Sequence, residues 1–415
     1  MAFFQPGAFQ ANAFQGPIVP VDGVGDAGAA TSALAIEAGA TISLEWKTDI
    51  TESISGLEQR AACRGKPRLR IEFSSLLSDA QHRHTLSLLA GMAAAAPQFL
   101  IALPYEDLSV VSSTSSTILV SSLALCDWAV PGQRIVVVSP VGEMGEAVIQ
   151  LAAGETLSID ADLTAVAVEG ARVMPAIGVL LESEQGFSRY QVNLGRWDLA
   201  ARAVLPGYGA STIAGTGAAV TRHDDMPVWD RGVAKRQAEQ PLLTGVELAD
   251  LGGRISALSS YTQAAWTRAM RHVNSRRAEW QWLKLFLDTI QGRRRAFLLP
   301  TGRPDLVPIG DASSGTLTVE GPPVANAPDY AGDWFPSLAH RRLRLLLVDG
   351  TVAYRTVIAT AAATGSQDLA LAEPVVGAIA RVEFLETCRL ASDTVSVTWT
   401  GSGFETQLAA RVVQQ

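Results

Sequence analysis

Polar and apolar positions are most regularly arranged over Glu279–Pro300 (EWQWLKLFLDTIQGRRRAFLLP). Gln281, Lys284, Asp288 and Gln291 recur at helical spacing, and Trp280, Leu283, Phe286, Leu287 and Ile290 fill the opposite side. The segment therefore predicts an amphipathic helix. Gly292 is a natural helix stop, and the run Ala296–Leu299 ending at Pro300 predicts a buried strand. About 200 residues earlier the pattern recurs in fainter form. Ser78–Gly91 (SDAQHRHTLSLLAG) predicts a capped helix ending in glycine, and Phe99–Pro104 (FLIALP) an apolar strand ending in proline.

Elsewhere the period is that of strands. Alternation begins at Thr41 with Ile42, Leu44 and Trp46. Beyond the Ser/Thr-rich stretch Ser112–Thr117 come short apolar runs at Ile118–Leu125, Arg134–Val138, Ala147–Leu151, Ala165–Val168 and Val173–Leu181. Turn signals at Pro131-Gly132, Gly154 and Gly170 separate them, as in a small antiparallel β-domain. Residues Ala201–Pro227 are rich in Gly, Ala, Ser and Thr and read as a linker.

After that linker the order repeats. Trp229 is matched to Trp46, and the helix–Gly–strand–Pro unit at 279–300 to 78–104. Asp333-Trp334 before Arg341–Val348 matches Asp127-Trp128 before Arg134–Val138, and Tyr354–Ile358 with Gly365 matches Glu146–Ile149 with Gly154. Gly377-Ala378 leading to Leu385-Glu386 matches Gly170-Ala171 leading to Leu181-Glu182. Both halves close on strands, Tyr190–Leu194 in one and Thr394–Trp399 with Glu405–Val413 in the other. The expected fold is α+β: two tandem similar β-barrel or sandwich modules, residues 41–200 and 226–415, each with a packed helical segment. Residues 201–225 are the expected linker.

Residues 1–40 differ from the rest. Ala-Phe-Gln occurs at Ala8–Gln10 and again at Ala13–Gln15, with Phe4-Gln5 as a partial copy. Spaced aromatics in a Gly/Pro-containing segment cannot build a core. They read either as a disordered tail or as a flexible arm that lays its Phe residues on a neighbouring subunit. The 415-residue chain is 48% hydrophobic and 18% charged, the balance of a globular protein. A formal charge of −8 argues against dedicated nucleic-acid binding. Cys63, Cys126 and Cys388 are far apart and show no metal-ligand or disulfide spacing, as expected of a protein assembled in a reducing cytosol. The opening residues lack the pattern of a signal peptide, and the most apolar window, Leu86–Leu103, is interrupted by Gly91 and Pro97. A soluble protein without a membrane span is expected.

Motifs that carry chemistry are sparse. The glycines at Gly207, Gly209, Gly215 and Gly217 have no flanking strand, and there is no GxxxxGK[ST] sequence. His82 and His84 fall on different sides of a helix, and His223-Asp224-Asp225 reads as a solvated polar segment rather than a metal site. No Gly-x-Ser-x-Gly elbow or local Cys–His pair marks a nucleophile. Nothing singles out a pair of catalytic carboxylates. Two basic clusters, Arg293-Arg294-Arg295 and His340–Arg344, could take phosphate, but in an acidic chain arginine–carboxylate pairing across a subunit contact is the stronger reading. Trp266, Trp280 and Trp282 could stack a sugar; beside so many leucines, packing is the default. No catalytic, cofactor or metal residue is assigned. The candidate intersubunit residues are Phe4, Phe9, Phe14, Arg293, Arg294, Arg295, Arg341 and Arg342.

The spacing Trp280…Leu283…Phe286-Leu287…Gly292…Phe297–Pro300 resembles tail-tip and baseplate proteins of long-tailed bacteriophages and gene transfer agents. So does the stretch Phe384–Trp399 (FLETCRLASDTVSVTW), and the AFQ-x-N-AFQ string is similar to the openings of small phage structural proteins. The resemblance covers mainly Trp229 to the end. It implies a structural protein of the distal-tail or minor-tail type, located in the virion tail and assembled in the host bacterial cytoplasm. It also implies a homo-oligomeric ring joining the tail tube protein to the baseplate hub, with tail fibres as a further partner. Six copies are favoured over three, because the tube is sixfold. Some minor tail proteins hold an iron–sulfur centre on a C-terminal cysteine cluster; only Cys388 lies in that region here, so no cofactor is carried over. Two rival readings are a tail-associated peptidoglycan or polysaccharide hydrolase, and a receptor- or carbohydrate-binding module, which predicts exposed Trp residues.

Overall fold

The computed structural model describes residues 30–31, 40–52, 58–64, 66–78, 99–124, 126–141, 143–182, 186–191, 194–203, 219–231, 246–250, 255–259, 267–312, 315–322, 329–400 and 403–413. Phe4, Phe9, Phe14, Trp266, His82, His84 and the helix expected over 78–91 lie outside them, except that Ser78 ends a strand.

Period-2 segments become strands because one face of each is buried. Thr394–Thr400 shows this most simply: Val395, Val397 and Trp399 are buried, and the residues between them are exposed. The first half contains β1 (Ala30–Thr31), β2 (Ala40–Glu45), β3 (Thr48–Glu52), β4 (Glu58–Ala62), β5 (Arg68–Ser78), β6 (Phe99–Ala102) and β7 (Leu108–Ser113). It continues with β8 (Thr117–Val120), β9 (Arg134–Val138), β10 (Met144–Ala153), β11 (Thr156–Ile159), β12 (Arg172–Leu181), β13 (Gly186–Gln191) and β14 (Leu194–Ala203). The second half contains β15 (Arg222–His223), β16 (Met226–Pro227), β17 (Val246–Asp250), β18 (Ile255–Ser259), β19 (Thr267–Asn274), α1 (Arg277–Ile290) and β20 (Phe297–Pro300). It ends with β21 (Asp311–Ala312), β22 (Thr316–Glu320), β23 (Arg342–Leu347), β24 (Val352–Ala363), β25 (Ser366–Leu371), β26 (Gly377–Leu390), β27 (Thr394–Thr400) and β28 (Gly403–Val412).

The architecture is β-rich, built on one large, mainly antiparallel network of strands, and α1 is the one α-helix among the described residues. It is not long and apolar enough to cross a membrane.

The two halves repeat each other ladder by ladder. β5–β14 pairs Leu77 with Gly195 and Arg70 with Arg202; β19–β28 pairs Asn274 with Phe404 and Thr267 with Arg411, an identical register. β12–β14 starts at Val179↔Ala203, and β26–β28 at Cys388↔Val412. β6–β12 and β9–β12 recur as β20–β26 and β23–β26, and the chain β9–β10–β11–β8 recurs as β23–β24–β25–β22. The irregularity in β10 between Ile149 and Leu151 reappears in β24 between Val357 and Ala359. Bulges depend on local twist and strand bending, so a shared bulge marks a shared framework.

Three expectations need correction. Strands occur within the segment expected to be linker: β14 runs through Ala203, and β15 and β16 form a hairpin. Likewise β1, within the expected arm, pairs in parallel with β6. Trp229 is also not the counterpart of Trp46. It follows Val228, which makes a parallel bridge to β20 as β1 does to β6, whereas Trp46 follows β2.

Each half carries a small β-barrel with its own core. One is built on Ile118, Ile135, Val137, Ile149 and Val173, the other on Leu317, Leu343, Leu345, Val357 and Val382. Beneath them the remaining strands share a single core that joins Ile42, Ile71 and Leu199 of the first half to Phe286, Val397 and Leu408 of the second. The modules are therefore fused at the base and separate at the barrels.

Candidate functional site

The two copies meet at β2, α1 and the turn before β27. β2 is sandwiched between β5 of its own copy and β27 of the other. Ile42 faces Ile71 on one side and Val397 on the other, and Leu44 faces Leu69 and Val395, all buried. On the opposite face Ser43 Oγ lies 2.8 Å from Ser396 Oγ, and Thr41 Oγ1 lies 3.3 Å from Thr398 Oγ1. A main-chain ladder with alternating apolar and hydroxyl rows thus makes the junction.

Helix α1 lies against the first copy. Its expected apolar side is buried, with Leu283, Phe286, Leu287 and Ile290 fully covered and Trp280 nearly so, and Trp282 is covered as well. Half of its expected polar face is covered as well: Gln281 and Lys284 are buried, while Asp288 and Gln291 are half-buried. The reason is a pair of carboxylates from the first copy. Lys284 Nζ lies 2.8 Å from Glu106 Oε1 and 2.6 Å from Asp127 Oδ2. Glu106 Oε1 also accepts from Trp280 Nε1 at 2.5 Å, and the Glu106 carbonyl accepts from Trp128 Nε1 and Arg277 Nη2. Burial alone would lower the pKa of Lys284, but the two carboxylates outweigh it and hold the ammonium above its ordinary value. Burial pushes the neighbouring Cys126 thiol up to about 12 and the Tyr105 hydroxyl well above its ordinary range. The hollow beside the cluster, lined by Tyr105, Arg277, Trp280, Trp399 and Phe404, measures only about 10 Å³. That is about the space of one water, too small for a substrate. The cluster acts as an internal clamp.

A second knot closes the same junction. Asp393 accepts from the Thr48 amide (2.7 Å), the Thr48 hydroxyl (2.9 Å) and the Arg293 amide (2.8 Å), and its carbonyl accepts from the Trp46 amide. Gln291 (φ 54) and Gly292 (φ +65) take left-handed conformations that end α1 and aim the Arg293 amide at Asp393.

Four of the five predicted arginines engage their own chain through the guanidinium group, and Arg293 does so through its main chain. The Arg293 carbonyl accepts from Arg60, Arg294 pairs with the Gln291 side chain, and exposed Arg295 reaches the Thr289 carbonyl at 3.4 Å. Arg341 sits 4.5 Å over the Phe335 ring and donates to the Phe335 carbonyl. Arg342 Nε donates to Asp224 Oδ2 at 2.8 Å, so its carboxylate partner belongs to the same chain. Asp224 and Asp225 adopt left-handed φ values of 47° and 61° in the tight β15–β16 turn. His223 Nε2 lies 3.0 Å from Thr356 Oγ1, and burial lowers its pKa. Arg222, His223, Asp224, Tyr354, Arg355 and Glu373 line an open polar hollow of about 440 Å³. Within it Arg355 pairs with Glu373 at 3.4 Å and Asp224 with Arg342, while Arg222 donates to the Asp225 carbonyl. Among the described residues no group of His, Cys, Asp and Glu side chains could hold a metal ion.

Trp46, Trp128, Trp197, Trp229, Trp280, Trp282 and Trp399 are buried, and Trp334 is half-buried. They pack on each other and on Phe rings, as in the edge-on contact of Trp229 with Trp282 at 5.0 Å. What sequence reading missed were Glu106 and Asp127. Their one signal was Asp127-Trp128 as a repeated dipeptide, which carries no hint of its ionic partner.

No family model and no curated protein matches the chain. Among solved structures the chain is similar to the N-terminal CBM22-1-CBM22-2 tandem domain from Paenibacillus barcinonensis Xyn10C, at 8% identity over 90% of this chain and 93% of that one. The TM-score is 0.09, which carries no argument about fold or function.

Proposed function

We propose that the chain is a non-enzymatic structural protein of a phage-type tail tip or baseplate, forming a homo-oligomeric ring between tube and hub. The observation that supports this reading is the register-matched duplication: each chain presents two equivalent modules on one continuous base. Three chains would offer six modules to a sixfold tube, and six chains twelve. A ring requires broad, rigid, repeated surfaces and no titrating site. The buried Lys284–Glu106–Asp127 clamp and the shared core supply that rigidity. The Phe-bearing segment 1–20 would tie one subunit to its neighbour.

Mass spectrometry of purified particles, with subunit counting around the tail axis by electron microscopy, tests the reading. The expected result is the chain in the tail tip as a closed ring. A chain absent from particles, monomeric at high concentration and able to lyse peptidoglycan in a zymogram would overturn it in favour of a hydrolase. Deleting residues 1–20 is expected to impair particle assembly.

A further inference from the structure

The polar hollow of about 440 Å³ beside the β15–β16 turn has no part in the ring reading, and its volume is that of a small-ligand site. Its wall is held in place by named contacts. Tyr354 and Thr356 stand two apart on β24 and so share one face of the strand. The Thr356 hydroxyl donates to Asp224 Oδ2 at 3.1 Å and therefore accepts from His223 Nε2 at 3.0 Å. Arg342 Nε donates to the same Asp224 oxygen at 2.8 Å. Asp224 and Asp225 both hold left-handed backbones, at φ 47° and 61°, which favour glycine. Backbone strain of this kind persists where the surroundings fix it, and it collects at ligand clamps. Arg355 in turn pairs with Glu373 at 3.4 Å and donates to the Pro374 carbonyl at 3.2 Å. These polar groups are positioned before any ligand arrives, which lowers the cost of binding one.

We propose that this hollow binds a neutral saccharide unit, held through its hydroxyl groups. The lining mixes donors with acceptors. Arg222 and Arg355 donate, the Asp224 and Glu373 carboxylates accept, and the Thr356 and Tyr354 hydroxyls do both. A ring carrying several hydroxyls, each a donor and an acceptor, matches that set. Val352, Ala353 and Ala372, with the ring of Tyr354, offer apolar surface to the C–H faces of a sugar. No tryptophan is needed, because Tyr354 supplies the aromatic ring. A simple anion or cation matches less well. Arg355 with Glu373 and Arg342 with Asp224 already balance each other, so a free ion would have to break a pair, whereas a polyol can bridge both. The site lies within one chain, and its assignment stands or falls apart from the ring reading.

The test applies the full-length chain to an array of neutral and acidic oligosaccharides, then titrates the best ligand by calorimetry against wild type, Glu373→Ala and Arg222→Ala. Glu373 keeps 72% of its side chain in solvent and Arg222 is exposed, so both variants are expected to fold, with thermal melts reporting it. The expected result is a neutral saccharide whose affinity each variant lowers by about tenfold or more. On wild type the same ligand is expected to slow hydrogen exchange in the hairpin 222–227. Saccharide binding that neither variant weakens places the ligand elsewhere and overturns the assignment. An array without binding overturns it as well. Preference for acidic glycans, matched by competition from inorganic phosphate, makes the hollow an anion site and likewise overturns it.

Discussion

Lys284 Nζ on the second copy sits 2.6 Å from Asp127 Oδ2 on the first, with all but a few per cent of either side chain out of water. A lysine at that depth is tolerable only because two carboxylates surround it, so the residue acts as a register pin between copies. Removing it leaves Asp127 buried without its cation and Glu106 with only Arg277, whose Nη2 lies 3.5 Å from Glu106 Oε2. Lys284→Met is expected to destabilise the chain by about 3–5 kcal/mol in denaturant unfolding. Adding Glu106→Gln and Asp127→Asn to that variant should recover part of the loss.

Gly292 separates two costs of adding a methyl group. Its φ is +65°, and a Cβ there would meet Asp393 Oδ1 at 2.6 Å and Trp46 Cβ at 3.0 Å. Gly310, at φ +69°, would meet nothing within 4 Å. Gly310→Ala should therefore cost about 1–2 kcal/mol, the left-handed backbone penalty alone. Gly292→Ala should cost about 1–3 kcal/mol more, because it also overpacks the site and disturbs the Asp393 knot. Chemical denaturation of the two variants side by side measures the difference.

Hydrogen bonds from Arg70 and then Arg202 hold the Glu182 carboxyl at about 2, below its ordinary value of 4.5. A depressed folded-state pKa means that the stabilisation is complete above pH 4.5 and is lost as pH falls toward 2. Thermal melts of wild type and Glu182→Gln across that window should converge as pH falls, with the wild type losing more stability.

The cysteines should separate cleanly by reactivity. Cys63 is exposed, whereas Cys388 is fully buried and burial pushes the Cys126 thiol up to about 12. Alkylation of the native protein at neutral pH is expected to label Cys63 alone, and all three after unfolding, as read by peptide mass spectrometry.

Much of the architecture was legible from period and punctuation. The alternation of TVSVTWT at 394–400 specified a strand with its valines inward, and Gly292 marked the end of α1. The order of repeated fragments specified the duplication, which the ladders β5–β14 and β19–β28 reproduce residue by residue. Local pattern failed where partners are distant. Matching Trp229 to Trp46 compared two aromatic residues that follow different strands. Arg342, read as a residue awaiting a neighbouring subunit, pairs with Asp224 across 118 positions of its own chain.

By itself, then, the sequence determined which segments are strands, where the helix stops and that one module occurs twice, because those features depend on neighbours a few residues apart. Only the tertiary structure decided that β2 bridges the copies, that Lys284 and Gln281 of α1 are buried against Glu106 and Asp127, and that the two modules share one core. Periodicity states that a face must be covered; which strand or charge covers it depends on contacts between residues hundreds of positions apart.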